Sequence, residues 1–148
     1  MTKDVDDLHH AVATLMRALK IAETKLRIAH NEFSFTPAEI QTLRFVSGKD
    51  GCKLSELGEY LGIVPTTASS LVDRLVERGL LRRDRPDTNR RAVALHLTVD
   101  GRDTFGRLEA EERATMQIML DALDPEERAD FVRKMTRIAD HVSRRRDL

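Results

Sequence analysis

The sequence predicts a mainly α-helical fold with one small β-hairpin, and three observations carry that prediction. Apolar residues recur at spacings of three and four through most of the chain, the mark of helices with one buried face. Only after Gly79 does the period change to alternation, and it does so for one short stretch. The aromatic complement is five Phe, one Tyr and no Trp, so aliphatic residues, Ala and Met must fill the core, which suits packed helices better than stacked sheets. With 148 residues the chain has the length of one domain with a sizeable core, and too little for two ordinary domains and a linker.

The first predicted helix spans residues 5–29, where no Gly or Pro occurs and Leu8, Val12, Leu15, Leu19, Ala22, Leu26 and Ala29 form one stripe. At about 1.5 Å per residue it extends roughly 37 Å, the width of a small domain, so part of the stripe needs a partner outside the chain's own core. "TPAEIQTL" opens the second helix: Thr36 is placed to cap, Pro37 sits in the first turn where its missing N–H costs nothing, and Glu39 completes a capping box. "SGKDG" ends it, and "DGCKLSE" reads as a turn with a half-buried Cys52 leading into the next helix. "LSELGEYLG" sets Leu54, Leu57 and Leu61 on one face and stops at Gly62. "VPTTASSLVDRLVERG" restarts at Pro65, turns Ala68, Leu71, Val72 and Leu75 inward and stops at Gly79. Leu80 and Leu81 then begin an extended segment, "RPDTN" supplies turn chemistry, and Val93, Leu95 and Leu97 share one side of the return, which makes a two-stranded hairpin. Thr98 is placed to cap a further helix, and Asp124, Pro125 and Glu127 repeat the opening device for the last one.

The 25 basic and 25 acidic residues cancel, so total charge says nothing about partners. Its distribution does. From residue 71 to 91 there are seven arginines against four acids, and five of the seven, Arg82, Arg83, Arg85, Arg90 and Arg91, lie in or beside the hairpin. No apolar run is long enough to span a membrane and no signal-peptide pattern opens the chain, so the expected location is cytoplasmic. His9, His10, His30, His96 and His141 are scattered, with no zinc-protease pair, phosphate-binding glycine run or nucleophile elbow, which argues against catalysis and calls for no cofactor.

Two helices joined by a short turn and followed at once by a basic hairpin have the layout of a winged helix-turn-helix, in which the second helix enters the DNA major groove and the hairpin reaches the adjoining groove or backbone. The outward positions of that second helix are Thr66, Thr67, Ser70, Asp73, Arg74 and Glu77. Its first turns are rich in hydroxyls and free of acid, which suits approach to phosphates and base edges; Asp73 and Glu77 lie further along, and Asp73 reads as a structural partner. The candidate DNA contacts are therefore Pro65, Thr66, Thr67, Ser69 and Ser70 at the helix tip, Arg74 as a phosphate clamp, and Arg83, Arg85, Arg90 and Arg91 on the hairpin, where a cationic fork can enter a narrow minor groove.

The run "LSELGEYLGIVPTTASSLVDRLVERGLLRRDRPDTNRRAVALHLTVDG" resembles the DNA-binding core of the MarR family of bacterial transcription regulators, most clearly in "TASSLVDRLVERGLL" and the wing exit "RRAVALHLTVDG". The resemblance implies a winged helix-turn-helix lobe over residues 36–100, and an interleaved helical dimerisation region from residues 5–32 and 101–145, within one chain of 1–148. It also implies a homodimer on a pseudo-palindromic double-stranded operator, acting as a repressor released by a small aromatic or phenolic molecule. The chain departs from the family's wing pattern, since Asn89 stands where an Asp is usual two residues before Arg91; Asp87 is available to take over the tether. It also has Ser70 where many relatives carry arginine, which shifts base readout toward the hydroxyls.

Three other readings remain open at this point. His9 and His10 near a dimer interface suggest metal sensing, although adjacent residues do not share a helix face; Cys52 suggests oxidant sensing. A helical protein-interaction module without DNA predicts that the hairpin arginines can be removed without effect. Met16, His30, Phe33, Phe35 and Phe45 sit where a ligand pocket could form, but at helical spacing they read as core.

Overall fold

The computed structural model describes residues 2–30, 34–85 and 93–146, with side chains described for 2–20, 34–85 and 93–145. In chain order the elements are α1 (Lys3–His30), α2 (Pro37–Gly48), β1 (Cys52–Lys53), α3 (Leu54–Leu61), α4 (Pro65–Glu77), β2 (Leu81–Asp84), β3 (Ala94–Leu97), α5 (Val99–Asp121) and α6 (Pro125–Arg146). The chain divides into two compact units, Met1–Leu108 and Glu109–Leu148.

Local chemistry sets the ends of the helices in the first unit. At α2 the Thr36 hydroxyl accepts the Glu39 N–H at 3.2 Å and the Glu39 carboxylate accepts the Thr36 N–H at 3.2 Å, the reciprocal box expected from sequence. Gly62 ends α3 at φ +66°, a left-handed value that costs a residue without a Cβ nothing. After α4, Gly79 at φ +74° donates to Val76 at 2.9 Å and Leu80 donates to Leu75 at 3.0 Å, a Schellman closure that turns the chain straight into β2.

Among the described residues the sheet has three strands, not the two expected. Its order is β1-β3-β2, all antiparallel, with Cys52 opposite Leu95 and Leu81, Arg82, Arg83 and Asp84 opposite Leu97, His96, Leu95 and Ala94. Cys52 thus lies in a strand, 1% exposed, and not half-buried in a turn. Two residues carry too little alternation to mark a strand; pairing with β3 defines this one.

One core joins α2, α3, α4, the sheet and the start of α5 through Leu43, Val46, Leu57, Val72, Leu75, Leu81, Leu95, Leu97 and Phe105. Ala68 and Leu71 are buried as well, so all four residues assigned to the inward face of α4 are inside. Gly101 lets α5 start against this core: a Cβ there would stand 2.0 Å from the Leu80 carbonyl oxygen. Thr98 closes the same junction, since its hydroxyl accepts the Gly101 N–H at 2.9 Å and donates to the Gly79 carbonyl at 2.5 Å.

Between Thr2 and Lys20 of α1 only Leu19 is even half-buried, and Val5, Leu8, Val12, Leu15 and Met16 are exposed. In the second unit the turn between α5 and α6 is closed by the Glu127 carboxylate, which accepts the Asp124 N–H at 3.0 Å. None of the described side chains from Glu109 to Arg145 is buried, and Val132, Met135, Ile138 and Val142 lie open along α6.

Candidate nucleic-acid interface

Helix α4 presents Pro65, Thr66, Thr67, Ser70 and Arg74 to solvent, with Ser69 half-buried. Ala68, Leu71, Val72 and Leu75 hold the opposite face in the core, which fixes the hydroxyl-bearing face outward. The first turn carries no acidic residue, and its N-cap Val64 makes no side-chain cap, so the tip offers backbone N–H groups and hydroxyls with no carboxylate beside them.

Alternation along β2 divides the arginines. Leu81 and Arg83 face the same side as Leu97 and Leu95, toward the core and α4, while Arg82 and Asp84 face outward with His96. Arg83 accordingly donates to the Asp73 carboxylate and, at 3.4 Å, to the Ser69 carbonyl, so it fastens the hairpin to α4. Asp73 is the structural partner expected of it. Arg82 pairs with Asp84, and Arg85 is exposed where the strand ends. Arg90 and Arg91, with Asp87 and Asn89, lie outside the described residues.

Glu39 does more than cap α2. It is 6% exposed, its Oε2 accepts from Arg78 Nη1 at 3.1 Å, and its Oε1 lies 3.8 Å from Arg74 Nε. Arg78 also stacks on the Phe35 ring at 4.1 Å. A buried carboxylate on α2 therefore meets two arginines from the end of α4 and ties the two helices together. The sequence carried no sign of this, because Glu39 and Arg78 are 39 residues apart.

Cys52 is buried, and that burial, ahead of the nearby Glu56 charge, pushes its thiol above the ordinary value. A buried thiol held in its protonated form is a poor target for peroxide, which counts against oxidant sensing at this residue. His9 and His10 are exposed on α1, and among the described residues no group of three or more His, Cys, Asp or Glu is placed to hold a metal ion. No described helix is long and apolar enough to cross a membrane.

A cavity of about 340 Å³ opens beside the end of α4, walled by Phe35, Leu80 and Leu108 with Arg78, Asp100, Asp103, Thr104 and Arg107 at its polar edge. Among the described candidates for a pocket, Phe35 lines it, whereas Phe45 stacks on Tyr60 at 4.6 Å and Met16 is exposed. Phe33 and the His30 side chain lie outside the described residues.

Residues 33–92, which contain α2 to β2, match the MarR family profile. The transcriptional repressor MdtR of Bacillus subtilis is 28% identical over 127 residues, 84% of this chain and 81% of that protein. Over these residues the chain is similar to the MarR family of transcription regulators. Solved structures agree with this fold. FabT of Streptococcus pneumoniae, determined in complex with DNA, superposes with a TM-score of 0.80 at 20% identity, covering 94% of this chain and 97% of FabT. PcaV of Streptomyces coelicolor, determined with its natural ligand, gives 0.59 at 28% identity over 85% and 89%.

Proposed function

We propose that this chain is a cytoplasmic, homodimeric transcription repressor that binds a pseudo-palindromic double-stranded operator and leaves it when a small aromatic or phenolic molecule binds. The observation that carries the reading is the Arg83–Asp73 pair, which docks an arginine-bearing strand on the flank of an exposed, acid-free helix tip. That arrangement suits simultaneous engagement of a groove by α4 and of the neighbouring backbone by Arg85, Arg90 and Arg91.

In this reading residues 36–100 form the DNA-binding lobe, and Pro65, Thr66, Thr67, Ser69 and Ser70 approach the bases. Arg74 meets phosphate from its exposed side while Glu39 steadies it from the other. Arg83 acts through Asp73 rather than on DNA. The uncovered apolar stripes of α1 and α6 are consistent with residues 5–32 and 101–145 forming the dimerisation region, where a second copy buries what one chain cannot. The cavity at Phe35 is the candidate effector site, since Arg78 belongs both to its lining and to the Glu39 cluster that steadies α4. The names of MdtR as a repressor and of PcaV with a ligand support the direction of control and the response to a small molecule.

Selection of bound duplexes from a random library tests the reading directly. The expected product is an inverted repeat with half-sites one helical turn apart, about 10 base pairs, bound with an affinity that falls steeply with salt. Recovery of no preferred sequence, with no duplex bound at low salt, would overturn it.

A further inference from the structure

The outer face of the small sheet carries a charged cluster that DNA contact by α4 does not use. His96 on β3 lies opposite Arg82 on β2, and its two ring nitrogens meet carboxylates from two different elements. Nδ1 is 2.8 Å from Asp50 Oδ1 in the turn before β1, and Nε2 is 3.3 Å from Asp84 Oδ2 on β2. The His96 side chain is 17% exposed, packed with its Cε1 3.4 Å from where a Cβ on Gly51 would stand. The other charged groups on this face are Arg82, which pairs with Asp84, and Lys53, which is opposite Ala94.

A neutral imidazole has one N–H, so it donates to one carboxylate and turns a lone pair toward the other. An imidazolium keeps the hydrogen bond to Asp50 and adds a positive charge 3.3 Å from Asp84. A positively charged ring in this place attracts a carboxylate from the turn before β1 and one from β2, and so can tie both to β3 at the base of the wing.

We propose that His96 is a positioning residue for the wing: protonated, it draws Asp50 and Asp84 together and holds β2 in register beneath Arg85, and loss of the proton slackens that hold and weakens binding to the operator. The part concerning DNA rests on the proposed function; the part concerning the wing does not.

The test compares wild type, His96→Gln and Asp50→Asn from about pH 5.5 to pH 8, across which histidine titrates. In the free protein, amide exchange of Arg82 and Asp84, whose pairs with His96 and Ala94 carry the β2–β3 ladder bonds, corrected for intrinsic rates, is expected to quicken at the higher pH in wild type and to stay level in His96→Gln. On a library-selected duplex, wild type is expected to lose about twofold to fivefold more affinity than His96→Gln over the same range, the size of a partly exposed charge-assisted pair. Asp50 is 79% exposed, so Asp50→Asn keeps the fold and should lose part of the same pH response even if His96→Gln does not fold. Identical pH profiles for wild type and both variants would overturn the proposal. The expected exchange profile with no duplex bound by any variant would uphold the latch and sink the DNA-binding reading instead.

Discussion

Arg83 of β2 turns back onto Asp73 of α4, so the hairpin is fastened to the helix beside it by an ion pair between residues ten apart in sequence. Both side chains are partly exposed, and the pair contributes about 0.5 kcal/mol to stability. Its larger effect is on orientation. If Asp73 acted only as a negative charge near DNA, Asp73→Ala would tighten binding. As the anchor of Arg83 it should weaken operator binding by about twofold to fivefold, with a melting temperature almost unchanged. Tighter binding in an electrophoretic shift titration would rule out the anchoring role.

Gly101→Ala separates helix propensity from packing. Propensity alone stabilises a helix by about 1 kcal/mol for this exchange. The new Cβ would stand 2.0 Å from the Leu80 carbonyl oxygen, so the start of α5 must move away from the core. Urea unfolding should show a net loss of about 2 kcal/mol, and a gain in stability would contradict the close approach at this junction.

Glu39→Gln keeps an acceptor for the Thr36 N–H but removes the charge that Arg78 and Arg74 face. With the carboxylate buried and the arginines partly exposed, the expected loss is about 2 kcal/mol. Glu39→Ala should cost more because the cap disappears too. Chemical denaturation of the two variants checks the order.

Cys52 should resist alkylation in the folded protein and react at the rate of a free thiol once unfolded. Its thiol is raised above the ordinary value of 9.0 chiefly by burial. A raised folded value means that the unfolded chain gives up this proton first. The contribution is therefore intact below about pH 9 and is lost as pH rises further. The stability difference between wild type and Cys52→Ala should be constant at lower pH and change only in that alkaline window. Peroxide should leave operator binding unchanged, and a Cys52-dependent loss would restore the oxidant-sensing reading.

The open stripe of α6 supplies a test of assembly. Ile138 is 54% exposed among Val132, Met135 and Val142, and Ile138→Lys puts a charge into that stripe without disturbing a core. Sedimentation is expected to show a dimer for wild type and a monomer, or a strongly weakened dimer, for the variant. A wild-type monomer at tens of micromolar would remove the proposed dimerisation region.

Much of this protein was legible one segment at a time. The capping box of α2, the glycine stops at Gly62 and Gly79 and the inward face of α4 all depend on residues within a few positions of one another, and spacing along the chain reports such neighbours faithfully. The sequence could likewise show that five arginines cluster around the hairpin and that a hydroxyl-tipped helix precedes it. Strand pairing is different, because it joins segments whose register nothing local dictates. Only the tertiary structure could pair Cys52 with Leu95 and create a third strand, or turn Arg83 toward Asp73 and Arg82 away from it. The Glu39 cluster and the contact of His96 with Asp50 arise in the same way, from residues 39 and 46 positions apart that meet because the core beneath them closes. Local spacing determined which elements form and which faces they bury; long-range packing decided which charges bind partners within the fold and which are left for a partner outside it.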